Sequence, residues 1–170
     1  AALEHMAAYQ LHAHVLVRSG RRLAGAVTIN GGIMVTRQGR RFVSEDRSPS
    51  ELGVWLLQQP DRVAVDVFDE RIASTLARGS MLEAIAGGDV FRSSRLIELG
   101  ELAEVDPRAL ENEVGRYNEA VARGEDWLGR KSMPGQLRPP YFAAVVTAGL
   151  SNTVGGLRIS ATAEVLRRDG

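Results

Sequence analysis

The sequence has no cysteine, which removes disulfides, thiolate metal ligands and cysteine nucleophiles together. It has no surplus of either charge, with 21 basic and 21 acidic residues, so no basic field points to a nucleic-acid partner. No uncharged apolar run approaches the length of a membrane span, so no membrane insertion is expected. A Gly-x-Gly-x-x-Gly fingerprint is missing, and with it a dinucleotide-binding turn of the chain's own. Internal repeats and low-complexity tracts are missing too. What remains is ordinary globular composition: 170 residues, 44% hydrophobic and 25% charged. That is one domain's worth, able to bury on the order of 70% of its unfolded surface.

Local patterning predicts a mixture of strands and helices. Ala1 to Tyr9, with Leu3, Met6 and Ala7 on one side, reads as a short amphipathic helix. Gln10 to Val17 reads as a strand. Val27 to Thr36 reads as two strand pieces bent at Gly31-Gly32, with a turn at Gln38-Gly39 and a returning strand over Arg40 to Ser44. Ser48-Pro49-Ser50 opens a helix carrying Leu52, Trp55 and Leu56, which Pro60 stops. Arg62 to Phe68 is a strand, and Asp69 caps a helix running to about Ala77. Ser80 to Ala86 is a helix closed by Gly87-Gly88, Val90 to Arg92 a brief strand, and Ser93 to about Glu104 helical. The clearest helix has Asp106 as N-cap, Pro107 at its first position, Leu110, Val114, Tyr117 and Val121 on one face, and Gly124 at its end. Gly124 to Pro140 is loop, pinned by Trp127. Tyr141 to Thr147 and Thr153 to Leu166 are strands. Strand runs and helix runs are segregated, so the expected class is α+β: mixed small sheets with several helices.

Four constellations invite chemistry. His12 and His14 stand two apart on a strand, which places both on one face. Only His5 could join them, so no metal site is expected. One of them donating to a substrate carboxylate is the functional reading; a strand histidine satisfied by backbone is the plain one. Gly124-Glu-Asp-Trp-Leu-Gly129-Arg-Lys131-Ser132 resembles a phosphate loop, but its lysine comes one residue late and it follows a helix, so it is set aside. Arg40-Arg-Phe-Val-Ser-Glu45-Asp-Arg47 packs cations and carboxylates at a strand end. It is either a solvated surface or a relay in which arginine forks grip carboxylates. Thr153-Val154-Gly155-Gly156-Leu157-Arg158 puts adjacent glycines inside a strand pattern, either as a bulge or where a ligand or another chain comes close.

Taken in order, several stretches resemble the capping domain of the fumarate reductase/succinate dehydrogenase flavoprotein family, to which tricarballylate and 3-ketosteroid dehydrogenases also belong. They are Gln10-Leu-His12, Ile29-Asn-Gly-Gly-Ile-Met-Val through Gly39-Arg-Arg-Phe42-Val-Ser-Glu45, and Asp106-Pro-Arg-Ala-Leu followed by Arg116-Tyr-Asn-Glu-Ala. Pro139-Pro-Tyr through Thr153-Val-Gly-Gly-Leu-Arg-Ile, Asp126-Trp-Leu-Gly-Arg130 and Ala163-Glu-Val-Leu complete the set. The resemblance implies that residues 1–170 are a single capping domain excised from a larger FAD-dependent oxidoreductase. Both ends look cut, and no signal peptide is expected. Its partners would be the flavin-binding domain of the same parent chain and a small carboxylate or ketone substrate. The compartment is expected to be the cytoplasm, with the periplasm as the other possibility the family allows.

The resemblance also assigns roles. His12 matches the family's substrate histidine. Glu45 matches a proton-relay glutamate, with Arg47 as its arginine. Arg71, after Phe68-Asp69, takes the part of the proton-transfer arginine, although an ungapped reading against the fumarate reductases puts Ala73 there. Asn152 replaces the family's second substrate histidine beside Thr153, which argues for a substrate other than fumarate. Gly155 and Gly156 would meet the cofactor. The competing reading is a stand-alone α+β ligand-binding or interaction module without redox activity.

Overall fold

One long strand organises the molecule. The computed structural model describes residues 1–76 and 78–168, with 78–80 followed through the backbone alone. Strand β6 (Tyr141–Thr153) is flanked on one edge by β4 (Ala64–Asp69) and on the other by β5 (Val90–Ser93) and then β2 (Tyr9–Leu16). Strand β3 (Ile33–Val35) lies outside β4, and every one of these pairings is antiparallel. All six residues of β4 are buried, which is why this segment alternates so weakly in polarity: both faces of the strand are covered. Phe68 and Phe142, opposite each other in β4 and β6, stack with ring centroids 5.4 Å apart. A separate two-stranded ribbon pairs β1 (Leu3–Glu4) with β7 (Gly156–Leu157).

The helices follow their capping chemistry. In α2 (Pro49–Leu57) the Ser48 hydroxyl accepts from the Glu51 N–H while the Glu51 carboxylate accepts from the Ser48 N–H, a reciprocal capping box. Those Ser48 hydrogen bonds hold the Glu51 carboxyl below its usual range. Asp69 caps α3 (Glu70–Ala73) through the Ile72 N–H. Helix α4 spans Arg78–Ala86 and α5 spans Leu96–Leu102. Helix α6 (Pro107–Arg123) starts at Asp106, which accepts from the Ala109 N–H at 2.9 Å, and ends at Gly124 in the left-handed region. Its Leu110, Val114, Tyr117 and Ala120 are buried, each large apolar side chain contributing about 1.5–3 kcal/mol. No described helix is long and apolar enough to cross a membrane. The architecture is α+β, as expected.

Several local expectations are corrected. Residues 1–9 form β1, a turn and the first residue of β2 instead of a helix. So short a helix is marginal in water, and His5 at φ 55° breaks it while Leu3 pairs with Leu157. The first of the two strand pieces expected before Thr36 is helix α1 (Ala26–Ile29), closed where the Gly32 N–H donates to Val27 O at 2.8 Å. The returning strand after Gly39 shrinks to a bridge between Val35 and Arg41. The reason is that the Arg41 N–H donates to the Glu113 carboxylate of α6 at 3.1 Å. The helix expected over 93–104 is α5 alone, with Ser93 in β5. Strand β6 continues through Thr153, and the strand expected beyond it is β7 plus a bridge between Ile159 and Val165. Helix α3 ends at Ala73; Ala77, its expected end, lies outside the described residues.

Candidate functional site

Glu45 sits at the centre of a buried ion cluster. The Gln38-Gly39 turn brings Arg41 beneath α6, with Gly39 so close to Leu110 that a side chain there would strike the helix backbone. Arg41 Nε donates to Glu45 Oε1 at 2.9 Å and Nη2 to Oε2 at 2.5 Å. On its other side Arg41 grips Asp126, with Nη1 to Oδ1 at 2.6 Å and Nη2 to Oδ2 at 3.3 Å. Arg130 closes the cluster: Nη1 reaches Glu45 Oε2 at 3.3 Å and Gly32 O at 2.9 Å, Nη2 donates to Thr28 O, and Nε to Ser132 O at 2.8 Å. The Met34 N–H adds a donor to Glu45 Oε1 at 3.0 Å. Two cations and two anions balance without solvent, and nearly every donor has an acceptor, which is the condition for burying charge.

The surroundings hold that cluster in place. Burial opposes ionisation of Asp126, but the Arg41 guanidinium and the N–H groups of Arg130 and Leu128 outweigh it, so its carboxyl stays below the usual range. Burial likewise opposes the Arg41 charge, and Glu45 and Asp126 more than offset it, raising the guanidinium above its ordinary value. Arg41 lies 5.1 Å from the Tyr117 ring centroid and 4.9 Å from that of Trp127. Arg130 lies 5.5 Å from Tyr117, and Arg116 4.2 Å from Trp127. Cations and rings therefore alternate from Arg130 to Arg116. Trp127, expected to pin the 124–140 loop to the core, is instead exposed and stacks on Arg41 and Arg116. Asn118 fastens the far end of the loop, accepting from the Leu137 N–H at 2.8 Å and donating to Leu137 O at 2.9 Å.

A second buried pair lies in the sheet. His14 Nδ1 is 2.7 Å from Asp66 Oδ2, with both side chains sealed from solvent. A register shift in β2 between His12 and Val15 turns the two histidines differently. The His14 N–H donates to His12 Nδ1 at 3.2 Å, and the rings meet edge to face. Burial pushes the His14 imidazolium down, but the adjacent Asp66 carboxylate overcomes it and the net shift is upward. His12 goes the other way, lowered by burial, by His14 and by Arg22. The pair thus favours the charged form of His14 and the neutral form of His12.

That asymmetry predicts a pH dependence. Because the folded His14 value lies above the unfolded 6.5, the pair's contribution is fully present below pH 6.5 and fades as pH rises through the folded value. His12 contributes with the opposite sign, so the comparison must isolate His14. Urea unfolding of the wild type and His14→Gln between pH 5.5 and 9 is expected to show the wild-type advantage shrinking as pH rises. An advantage independent of pH would show that His14 is neutral in the fold.

His14 opens onto a cleft of about 250 Å³, lined by Gly25, Thr28 and Ile29 on one side and by Glu45, Asp46, Arg47, Pro49, Leu52 and Ser132 on the other. Thr28 Oγ1 is 3.5 Å from His14 Nε2. Asp46 ties the rim to the 124–140 loop by accepting from the N–H groups of Lys131 and Ser132. The structure brings Glu45 and Arg47 to this cleft but does not join them. Arg47 is half exposed, pairs with Glu51 at 3.4 Å and lies over Trp55, while Arg41 and Arg130 are the arginines on Glu45.

Of the other predicted residues, His12 adjoins the cleft and the rest lie apart from it. His12 is buried beside Gly25. Asn152 and Thr153 are exposed at the end of β6, opposite Gln10 and Tyr9, with Asn152 Nδ2 donating to Gln10 Oε1 at 2.9 Å. Arg71 leaves α3 to donate from Nη1 to Asn30 O at 3.0 Å. A Cβ on Gly155 would overlap the His5 carbonyl, so the chain's own approach explains that glycine, whereas Gly156 faces open space. Sequence reasoning gave Arg130 and Asp126 no role, although the stretch Asp126-Trp-Leu-Gly-Arg130 was among those that carry the resemblance. It placed Arg41 in a charged strand end without a partner.

These residues do not form an FAD site by themselves. The cleft is smaller than the roughly 300–1,000 Å³ usual for drug-sized ligands. The described sheet has no parallel strand leading through a glycine turn into a helix.

Comparison with known proteins gives the class first. A family model described as "FAD binding domain" matches residues 1–170. Fumarate reductase (cytochrome) of Shewanella frigidimarina is 33% identical over 167 residues, covering 97% of this chain and 29% of that protein. The open conformation of a flavocytochrome c3 fumarate reductase superposes with a TM-score of 0.86 at 26% identity, over 99% of this chain and 30% of the other. The 3-ketosteroid-Δ4-(5α)-dehydrogenase of Rhodococcus jostii RHA1, in complex with 4-androstene-3,17-dione, does so with a TM-score of 0.63 at 25% identity, over 100% and 34%. The class is the flavoproteins. The chain belongs to the FAD-binding family that includes the fumarate reductases, and FAD is that family's cofactor. It spans less than a third of the length of the curated relatives it matches.

Proposed function

We propose that this chain is the substrate-capping part of an FAD-dependent oxidoreductase of the fumarate reductase/succinate dehydrogenase flavoprotein type, moving hydride between flavin and a carboxylate or ketone substrate. The family match names FAD binding, and the reading must explain why this stretch builds no dinucleotide cradle of its own. A cap held against a flavin-binding part of the same parent chain does so. The observation that carries it is the exposed apolar surface of the β1–β7 ribbon and the adjoining ends of β2 and β6. Leu3, Leu150, Val154 and Leu157 are exposed by 53%, 69%, 73% and 54%. Apolar surface concentrated in this way marks a face that another body covers.

In this reading the cleft beside His14 takes the acidic end of the substrate, with the His14 imidazole as a fixed donor behind it. Arg47 binds at the mouth, and Arg41 and Arg130 hold the Glu45 side chain in place at the floor. His12, Asn152 and Thr153 supply neutral hydrogen bonds from the β2–β6 ribbon, Gly156 lets the flavin approach with Gly155 behind it, and Arg71 transfers the proton. The test is flavin content. The purified 170-residue chain is expected to show no flavin absorbance and no saturable quenching of FAD fluorescence, while the full-length parent carries one FAD per chain. Stoichiometric flavin on the 170-residue chain would overturn the capping assignment.

A further inference from the structure

A cavity on the opposite face of the sheet takes no part in the cleft or its ion cluster. Successive residues of a strand point to opposite faces. In β6 Ala144 stands opposite Asp66, the partner of His14, whereas Ala143 stands opposite Phe91 of β5. Phe91, Val145 and Asp89, which just precedes β5, therefore share the face turned away from His14. Beside them lies a cavity of about 180 Å³, with Val17, Arg18, Arg37 and Leu102 among its other walls. The end of α4 places Asp89 there. Its N–H donates to Ala84 O at 2.8 Å, and Gly88 before it has φ 72°.

Asp89 is 8% exposed, and its Oδ1 has no hydrogen-bond partner among the described residues. Such a buried carboxylate oxygen is costly to leave unpaired. Arg18 stops short of it. This exposed side chain rests on Gly88, where a Cβ would lie 2.8 Å from Nη1. Arg37 is spent on the end of α5, donating from Nη1 to Ala103 O at 2.5 Å and to Glu104 O at 3.2 Å. An anion and a cation thus border the same cavity with no bond between Arg18 and Asp89 Oδ1. Val17 and Leu102 add an apolar rim, 47% and 44% exposed.

We propose that this cavity binds a small zwitterion, an α-amino acid with an apolar side chain. Its ammonium donates to Asp89, its carboxylate accepts from Arg18, and its side chain lies against Val17, Phe91 and Leu102. An amino acid carries both charges on one carbon, which suits two side chains that come together at the neighbouring residues Gly88 and Asp89. A simple cation would meet Arg18 as a like charge, and a simple anion would meet Asp89. The size agrees as well. The cavity is smaller than the roughly 300–1,000 Å³ usual for drug-sized ligands and holds about six waters at about 30 Å³ each. Because it lies across the sheet from the cleft, this inference stands apart from the capping reading.

Titration calorimetry of the full-length flavoprotein with L-leucine tests the site. One L-leucine per chain is expected to bind. Isoamylamine, which lacks the carboxylate, and 4-methylpentanoate, which lacks the amine, are each expected to bind at least about tenfold more weakly, the loss of one charge-assisted hydrogen bond. Asp89→Asn and Arg18→Ala are each expected to weaken L-leucine binding by at least about the same factor. No saturable binding of L-leucine overturns the proposal, and equal binding of either analogue does so too, since one charge would then suffice. Wild-type affinity in either variant puts the ligand elsewhere and also overturns it. If Asp89→Asn fails to fold, Arg18→Ala, at an exposed side chain, and the two analogues still decide.

Discussion

Replacing Glu45 with alanine is expected to destabilise the chain by about 3–5 kcal/mol, the range for removing one partner of a buried ion cluster. The magnitude follows from what is left behind. Arg41 loses a bidentate partner and keeps only Asp126; Arg130 loses its one carboxylate hydrogen bond and keeps backbone carbonyls. The Met34 N–H is orphaned as well. For a domain whose whole stability is about 5–15 kcal/mol, the midpoint of thermal unfolding should fall by on the order of 10 °C. Arg47→Ala is the control. Its pair with Glu51 joins two side chains that are roughly half exposed, and such pairs contribute about 0–1 kcal/mol. Urea unfolding of both variants measures the contrast. Equal small losses would mean that water reaches the cluster and that its charges are not sealed.

The contrast also shows which parts of the molecule were legible in the sequence. Helices α2 and α6 were, because Ser48-Pro49-Ser50, and Asp106 with Pro107 and Gly124, are local signals that need no tertiary partner. The Asp69 cap was legible for the same reason. Helix α1 was not: four residues do not display a helical period, and the glycines after it read equally well as a strand bend. The first nine residues failed because their apolar spacing fits a helix while their partner, β7, lies some 150 positions away. Among the site residues, Glu45 was visible in a charged strand end. Its true arginines were harder. Arg41 sat in the same run as Arg47, and Arg130 lies 85 positions on, held largely by carbonyl oxygens that no side-chain pattern announces. His12 was preferred to His14 because the Gln10-Leu-His12 resemblance singled it out, and nothing local announced that His14 would meet a buried carboxylate. The buried carboxylate of Asp66, 52 residues away, decides which imidazole carries charge.

Arg71→Ala in the full-length flavoprotein is expected to lower turnover by at least about a hundredfold, the contribution of a positioned proton donor, with little change in stability. The second half of that expectation comes from the surroundings: the Arg71 side chain is 46% exposed, and its one hydrogen bond is to the Asn30 carbonyl. The first half depends on geometry that separates position 71 from position 73. Two residues apart on a helix project about 200° from each other. Ala73 is buried beside Leu76, Met81 and Phe142, whereas Arg71 reaches over Gly31 toward Tyr117. A proton delivered from 71 would therefore arrive from the side of the ion cluster, whereas a side chain at 73 would enter the cleft lined by Leu76, Met81 and Phe142. Arg71→Lys separates charge from shape, since a lysine keeps the cation without the fork; intermediate turnover is expected. Wild-type turnover in both Arg71 variants would assign the proton to another group.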